Sequence, residues 1–165
     1  MVKLAVGDVV VYGAHGAGTV ETRETRSVDG EQQTVVVVAL AGGLSVQLPL
    51  ALAQERLRAL VDEPGLTTVE QVLRAAPPSS GESWLQRRRE ALTRLGDASG
   101  LAEIIRDGHA RESAPVRGLG SRLAPSEREL VQRARGLLTS EIALARNVPV
   151  VEAEAWLDRA LTVDP

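Results

Sequence analysis

The apolar residues change their spacing near residue 50, and this change constrains the fold more than any other feature of the chain. The first fifty residues contain four runs rich in β-branched residues, each bounded by turn-forming residues. Beyond them, apolar residues recur at spacings of three and four, as on one face of a helix. The four β-type runs are DVVVY (8–12), GTVETRET (18–25), TVVVVAL (34–40) and LSVQLP (44–49).

The turn residues between these runs predict how the strands connect. Asp29-Gly30 is a strong signal for a tight hairpin between the second and third strands. Gly42-Gly43 marks another reversal, and Pro49 ends the fourth strand because proline has no amide hydrogen for a β-ladder. Short antiparallel strands joined in this way predict a small SH3-like or Tudor-like β-barrel.

The remaining residues predict a compact helical domain. We expect helices over 67–76, 83–95, 101–110, from Pro125 onward and over 150–161, with a surface loop at 113–124. The fold class is therefore α+β with two domains, a β-barrel followed by an all-α domain. The boundary falls between Pro49 and Leu66, and we assign residues 1–60 and 61–165 to the two domains.

Composition limits the possible chemistry and location. The 165 residues include no Cys, which excludes disulfides, thiolate catalysis and cysteine-based zinc sites. No charged start leads into an apolar segment of the kind found in a secretory signal, and the longest apolar run, 35–41, is too short to span a membrane, so we expect a cytoplasmic protein. The net charge is −3, and residues 1–66 carry all of that excess. Any nucleic-acid contact must therefore come from a local basic patch.

Residues that could catalyse a reaction are sparse. His15 and His109 lie in different halves of the chain, and neither has a partner at metal-ligand spacing. The segment GAHGAG (13–18) leads into another strand, whereas a phosphate-binding loop leads into a helix. We interpret it as a tight β-turn with glycines at positive φ. We expect no enzymatic activity, no metal and no cofactor.

The segment SWLQRRR (83–89) places one of the two tryptophans before the only run of three arginines. At helical spacing, Arg87 and Arg88 flank Trp84, and the window 82–94 has a net charge of +2. Two interpretations follow. Trp84 is the first residue of a buried stripe, or it is an exposed ring that enters an unstacked base step while the arginines hold phosphates.

The chain resembles the CarD/CdnL family of bacterial transcription regulators over nearly its whole length. The resemblance begins at VGDVVVYGAHGAGTVETRETRSVDGEQ and continues in order through later blocks. It implies a Tudor-like N-terminal domain and a compact helical C-terminal domain, which agrees with the periodicity. The later blocks are LSVQLP, VEQVLRA, SWLQRRREAL, LAEIIRD and ARGLLTSEIALA.

The resemblance also implies a function. In this family the N-terminal domain docks on the lobe region of the RNA polymerase β subunit. The helical domain contacts promoter DNA at the upstream edge of the transcription bubble, with little sequence specificity, and a tryptophan wedged into the minor groove slows bubble collapse. The matching residue here is Trp84, with Arg87 and Arg88 on the phosphates. The chain is then expected to act as a monomer that associates with the nucleoid through polymerase.

Two segments depart from the family pattern. Arg26 falls in the ETR motif and is expected to contact polymerase, but Gln47 stands where relatives often carry a basic residue. We therefore expect a weaker polymerase contact, assisted by backbone pairing at a strand edge. The segment 108–127 is longer and richer in Gly and Pro than in those relatives, and its arginines include Arg111, Arg117 and Arg122.

Other functions remain open at this stage. The acidic N-terminal half and Gln47 favour an adaptor that binds polymerase or another partner without touching DNA. An enzyme is disfavoured because no pair of nucleophile and base is present. Trp156, in the last helix, is predicted to belong to the core.

Overall fold

The computed structural model describes residues 2–78, 84–114 and 123–162, and within this part the side chains of Trp84, Leu85 and Arg87 lie outside the described residues. The chain divides into two compact units, residues 1–60 and residues 61–165.

The first unit, called the sheet unit, is a five-stranded antiparallel sheet. The strand order is β4-β3-β2-β1-β5, and a short helix, α1, connects β4 to β5. The predicted fold class, an antiparallel β domain followed by helices, is confirmed. The elements are β1 (Val9–Tyr12), β2 (Ala17–Val28), β3 (Glu31–Leu40), β4 (Ser45–Pro49), α1 (Leu50–Arg56) and β5 (Leu57–Ala59).

Local backbone chemistry explains the turns of the sheet unit. Asp29 and Gly30 have φ values of 53° and 85°, the pattern of a type I′ hairpin that matches the twist of the flanking strands. A short 3-10 turn, Gly13–His15, leads from β1 into β2. The segment 13–18 therefore connects two strands, as predicted, and not a strand to a helix.

The core of the sheet unit is aliphatic. Val36 and Val38 of β3 are fully buried, together with Val10 of β1 and Val20 of β2. α1 and β5 were not predicted, because seven and three residues are too few to show a period. They form because Ala53 and Leu57 are buried in this cluster. The buried members are Leu4, Val10, Val20, Val36, Val38, Leu40, Leu48, Ala53 and Leu57.

The second unit, called the helical unit, contains five helices among its described residues. α4 is central and packs against α2, α3 and α5, while α6 packs against α2 and α5. The helices are α2 (Glu63–Arg74), α3 (Trp84–Arg94), α4 (Ala98–Ser113), α5 (Pro125–Arg146) and α6 (Val150–Thr162).

Capping residues set where these helices begin. The carboxylate of Asp62 accepts the amide hydrogen of Gly65, and that of Asp97 accepts the amide hydrogen of Gly100. Both are N-caps, so α2 and α4 begin earlier than the predicted residues 67 and 101. α4 also continues to Ser113, so the predicted loop begins later. The remainder of that loop, 115–122, lies outside the described residues.

Two buried carboxylates stabilise the helical unit. Glu127, 4% exposed, accepts the amide hydrogen of Ala124 at 2.7 Å and pairs with Arg111 of α4. Glu141, 2% exposed, accepts the amide hydrogen of Val61 at 2.8 Å. Burying a carboxylate is costly unless hydrogen bonds or opposite charges compensate, and these donors provide that compensation.

Among the helices of the described part, none combines the length and the apolar character needed to cross a membrane.

Candidate polymerase and promoter contacts

Helix α3 carries the predicted promoter-contacting residues. Trp84, Arg87 and Arg88 lie in its first two turns. Arg88 is exposed, whereas the side chains of Trp84 and Arg87 lie outside the described residues. The helix therefore brings the three positions together along its backbone, and the side-chain roles of Trp84 and Arg87 remain predictions.

The C-terminal end of α3 packs against the rest of the helical unit. Leu95, just beyond its last turn, is 2% exposed, and Ala91 is half-buried. Arg94 pairs with Glu103 of α4. Gly100 lies so close to Arg94 that an added Cβ atom would come within 2.5 Å of its backbone oxygen. Burial on this face decreases toward the N-terminus, since Arg88 is exposed.

The exposed arginines of α3 differ in their pairing. Arg94 forms ion pairs with Glu103 and, at 3.9 Å, with Glu90. Within the described parts of the chain, Arg88 and Arg89 form no ion pair. A guanidinium without a carboxylate partner keeps its donors for phosphate oxygens. The first half of α3 is therefore the part suited to an anionic partner.

The two predicted polymerase contacts share one face of the sheet unit. Gln47 pairs with Val37, which pairs with Thr22 on its other side. Side chains opposite one another in a ladder project to the same face, and so do alternate residues of a strand. Arg26, four residues beyond Thr22, is thus on the same face as Gln47, roughly 16 Å away by strand spacing and rise.

This outer face of the sheet is partly apolar. It includes Val35 and Val37, which are half-buried, whereas the alternating Val36 and Val38 are in the core. Gln47 is exposed on β4, the last strand in the order, so one edge of β4 pairs with no other strand of the described sheet. An unpaired edge is a place where a partner strand can add.

The same face carries an exposed ion pair, Arg26 with Glu24, and a buried hydroxyl group, that of Thr22. Arg26 donates from Nε to Oε2 of Glu24 at 2.9 Å, and both side chains are nearly half exposed. The hydroxyl oxygen of Thr22, at a β-bulge after Val20, is buried and has no hydrogen-bond partner in the described structure. No sequence pattern indicates this bulge, because it arises from the pairing of two strands.

The two histidines lie in different units of the protein. His15 is exposed in its turn, with its ring stacked 5.1 Å from that of Tyr12. His109 is half-buried in α4, a helix of the other unit. The part of the chain that the structure describes contains no group of three or more His, Asp or Glu residues able to hold a metal ion.

The position of Trp156 differs from expectation. Trp156 is not in the core but half-buried at the surface, with the guanidinium of Arg146 5.0 Å from its ring centroid. The core of α6 consists instead of Ala153, Leu157 and Ala160. Arg111 pairs with the buried Glu127, while Arg117 and Arg122 lie outside the described residues.

Sequence comparison with known families agrees with this two-part architecture. The CarD-like/TRCF RID domain matches residues 4–61, which cover the sheet unit. The family described as CarD, C-terminal domain, matches residues 68–158, more than half of the chain. The RID domain is an RNA polymerase β-subunit interacting domain. The chain therefore belongs to the CarD family of RNA polymerase-binding transcription factors.

Proposed function

We propose that this protein stabilises the open complex of promoters by binding the polymerase β subunit with its sheet unit and upstream bubble DNA with its helical unit. Trp84 is the wedge in the minor groove, and Arg87 and Arg88 hold the neighbouring phosphates. The observation that carries this proposal is that Arg88 and Arg89, on the same helix as Trp84, are exposed and form no ion pair with any residue that the structure describes.

The sheet unit is suited to protein docking for two reasons. Its outer face combines half-buried valines with Arg26 and Gln47, and one edge of β4 pairs with no strand of the described part of the chain. Edge pairing supplies backbone hydrogen bonds that do not depend on side-chain charge. This explains how a net acidic unit without a basic residue at position 47 can bind the β-subunit lobe, although more weakly than a basic relative.

The helical unit acts by differential affinity. A ligand shifts an equilibrium only by the difference between its affinities for the two states. A tryptophan that stacks on an unpaired base step contacts the open complex and not the closed one. Stacking of one base on an aromatic ring contributes about 1–3 kcal/mol, and about 1.4 kcal/mol changes an equilibrium tenfold. The open-complex lifetime should therefore change roughly tenfold or more.

The test is the lifetime of the open complex with cognate polymerase, compared between wild type and Trp84→Ala. We expect the wild type to lengthen the lifetime and the variant to lose most of that effect because the stacking surface is gone. The thermal unfolding curves of the two proteins should coincide, since an exposed ring adds little to stability.

Two outcomes would contradict this proposal. If Trp84→Ala lowers stability by about 3–5 kcal/mol, the ring is part of the core. If the wild type binds polymerase but leaves the lifetime unchanged, the protein is an adaptor without DNA contact. The net acidic charge of residues 1–66 is the observation that favours this second function.

A further inference from the structure

A buried carboxylate holds the first residue of the helical unit. Glu141 of α5 is 2% exposed, and its Oε1 accepts the amide hydrogen of Val61 at 2.8 Å, across 80 residues of sequence. A hydrogen bond to a charged acceptor is about twice as strong as a neutral one. This contact therefore fixes the backbone at Val61 and not only a side chain.

Val61 lies at the junction between the two units, so this contact fixes the backbone where the helical unit begins. β5 ends at Ala59, and Val61 is the first residue of the helical unit. Asp62 is already the N-cap of α2, because its carboxylate accepts the amide hydrogen of Gly65. Leu60 is thus the single residue between the last strand and the anchored backbone.

A second contact supports the same segment. Arg146, near the end of α5, donates from Nε and Nη2 to the two carboxylate oxygens of Glu63, both at 3.2 Å. Glu63 is 72% exposed, and exposed ion pairs contribute little. The buried Glu141 is therefore the stronger of the two attachments.

We infer that Glu141 is a positioning residue for the proposed promoter activity: it keeps the tether between the two binding units short by anchoring Val61. The inference rests on the proposed function, in which each unit binds a different partner. Two linked modules increase each other's occupancy through an effective concentration, which falls as the flexible linker lengthens beyond the span it must cover.

The expected effect of losing the anchor follows from the length of the freed segment. Without Glu141 the free run grows from Leu60 alone to about two residues, 60–61, because Asp62 is still held as the N-cap of α2. Effective concentration falls roughly as the −3/2 power of linker length. The open-complex lifetime should therefore shorten on the order of two- to fivefold, while binding of the β subunit, which uses only the sheet unit, stays the same.

Amide hydrogen exchange of Val61 in the full chain tests the anchor without polymerase. We expect a protected amide in the wild type and exchange at least about tenfold faster in Glu141→Ala, because its acceptor is removed. Glu141→Gln keeps a carbonyl oxygen at the same position and should retain protection. Glu129→Ala, an exposed glutamate of the same helix, should behave as wild type. An unprotected Val61 in the wild type would overturn the inference.

Measurements of open-complex lifetime test whether the bond between Glu141 and Val61 acts by keeping the tether between the two units short. Inserting Gly-Ser-Gly between Leu60 and Val61 lengthens the tether without changing a side chain of either unit. We expect the insertion to shorten the lifetime, and Glu141→Ala to cost less than about 1.5-fold in the inserted chain, because one more free residue changes a four-residue tether little. A loss in that background as large as in the chain without the insertion would show a structural effect of the substitution and would refute the positioning role.

Two further outcomes distinguish a failure of the Glu141 inference from a failure of the proposed promoter function. If Val61 loses protection in Glu141→Ala but the lifetime is unchanged, the anchor has no role in promoter binding and the inference is wrong. If Val61 is protected but the wild type itself does not lengthen the lifetime, the proposed function fails, and the inference fails with it.

Discussion

Ion pairing with carboxylates determines which arginines of this protein are available to bind a phosphate. Most arginines of the described part whose pairing is known are engaged by carboxylates; Arg94, Arg111, Arg135 and Arg146 are among them. Arg88 and Arg89 are exposed without such a pair in the described chain. Net charge therefore says little about DNA binding here, because pairing removes most of the positive charge from use.

Replacing Arg88 should weaken promoter binding equally for all sequences. A guanidinium on a phosphate releases about one counterion, so Arg88→Ala should reduce the salt dependence of open-complex lifetime by about one unit of slope. Lifetimes measured at several salt concentrations give this slope. Arg128→Ala, which removes an exposed arginine paired with Glu112 of α4, is the control and should leave the slope unchanged.

Replacing Arg26 should weaken polymerase binding. Its side chain is on the outer face of the sheet with Gln47, and because its ion pair with Glu24 is exposed, the guanidinium can exchange that partner for a carboxylate of the β subunit at little cost. We expect Arg26→Ala to reduce affinity for the β subunit by a few fold, about the value of an exposed ion pair. Arg23→Ala is the matched control, because Arg23 is in the same strand and opposite Val36, on the other face. Equal losses in both variants would argue against docking through the outer face.

At the scale of elements, the packing of the helical unit depends on a close contact between α4 and α5. Gly108 of α4 lies against Val131 of α5, and a Cβ atom at position 108 would be 2.5 Å from Cγ2 and 2.9 Å from Cγ1 of that valine. A β-branched side chain has little freedom to turn away. The two helices can therefore approach this closely only because residue 108 has no side chain.

The variant Gly108→Ala should destabilise the protein by about 1–3 kcal/mol, the cost of overpacking a core. Gly136→Ala is the control: it lies in α5 with nothing within 4 Å of the added atom, and should increase helix stability by up to about 1 kcal/mol. Urea unfolding followed by circular dichroism measures both. A Gly108→Ala protein as stable as Gly136→Ala would show that the helices can separate at no cost.

Over the whole molecule, the two units have separate cores. The sheet unit has its own buried cluster of aliphatic residues, and the helical unit is organised around α4. Separate cores suit the proposed function, in which the two units bind different partners.

A fragment that contains only the sheet unit should bind polymerase but have no effect on the open complex. Residues 1–60 contain the outer face and the β4 edge, so this fragment should bind the β subunit but leave the open-complex lifetime unchanged. The full chain in the same assay is the reference. A fragment that folds, as judged by its circular dichroism spectrum, but does not bind would disprove docking through the sheet unit alone.

The sequence by itself determined the order of the longer strands and helices and the fold class. Runs such as TVVVVAL and the pair Asp29-Gly30 depend on local conformational preference, which acts wherever the residues occur. The basic segment around Trp84 was likewise visible, because its residues are adjacent in sequence.

Only the tertiary structure decided features that join distant residues. The short α1 and β5 form because Ala53 and Leu57 fill a core that the other strands create. The surface position of Trp156 and the pairing of Arg111 depend on helices that meet after folding. The bond from Val61 to Glu141 spans 80 residues, and no local pattern carries such a contact, because its partners come together only when the helical unit packs.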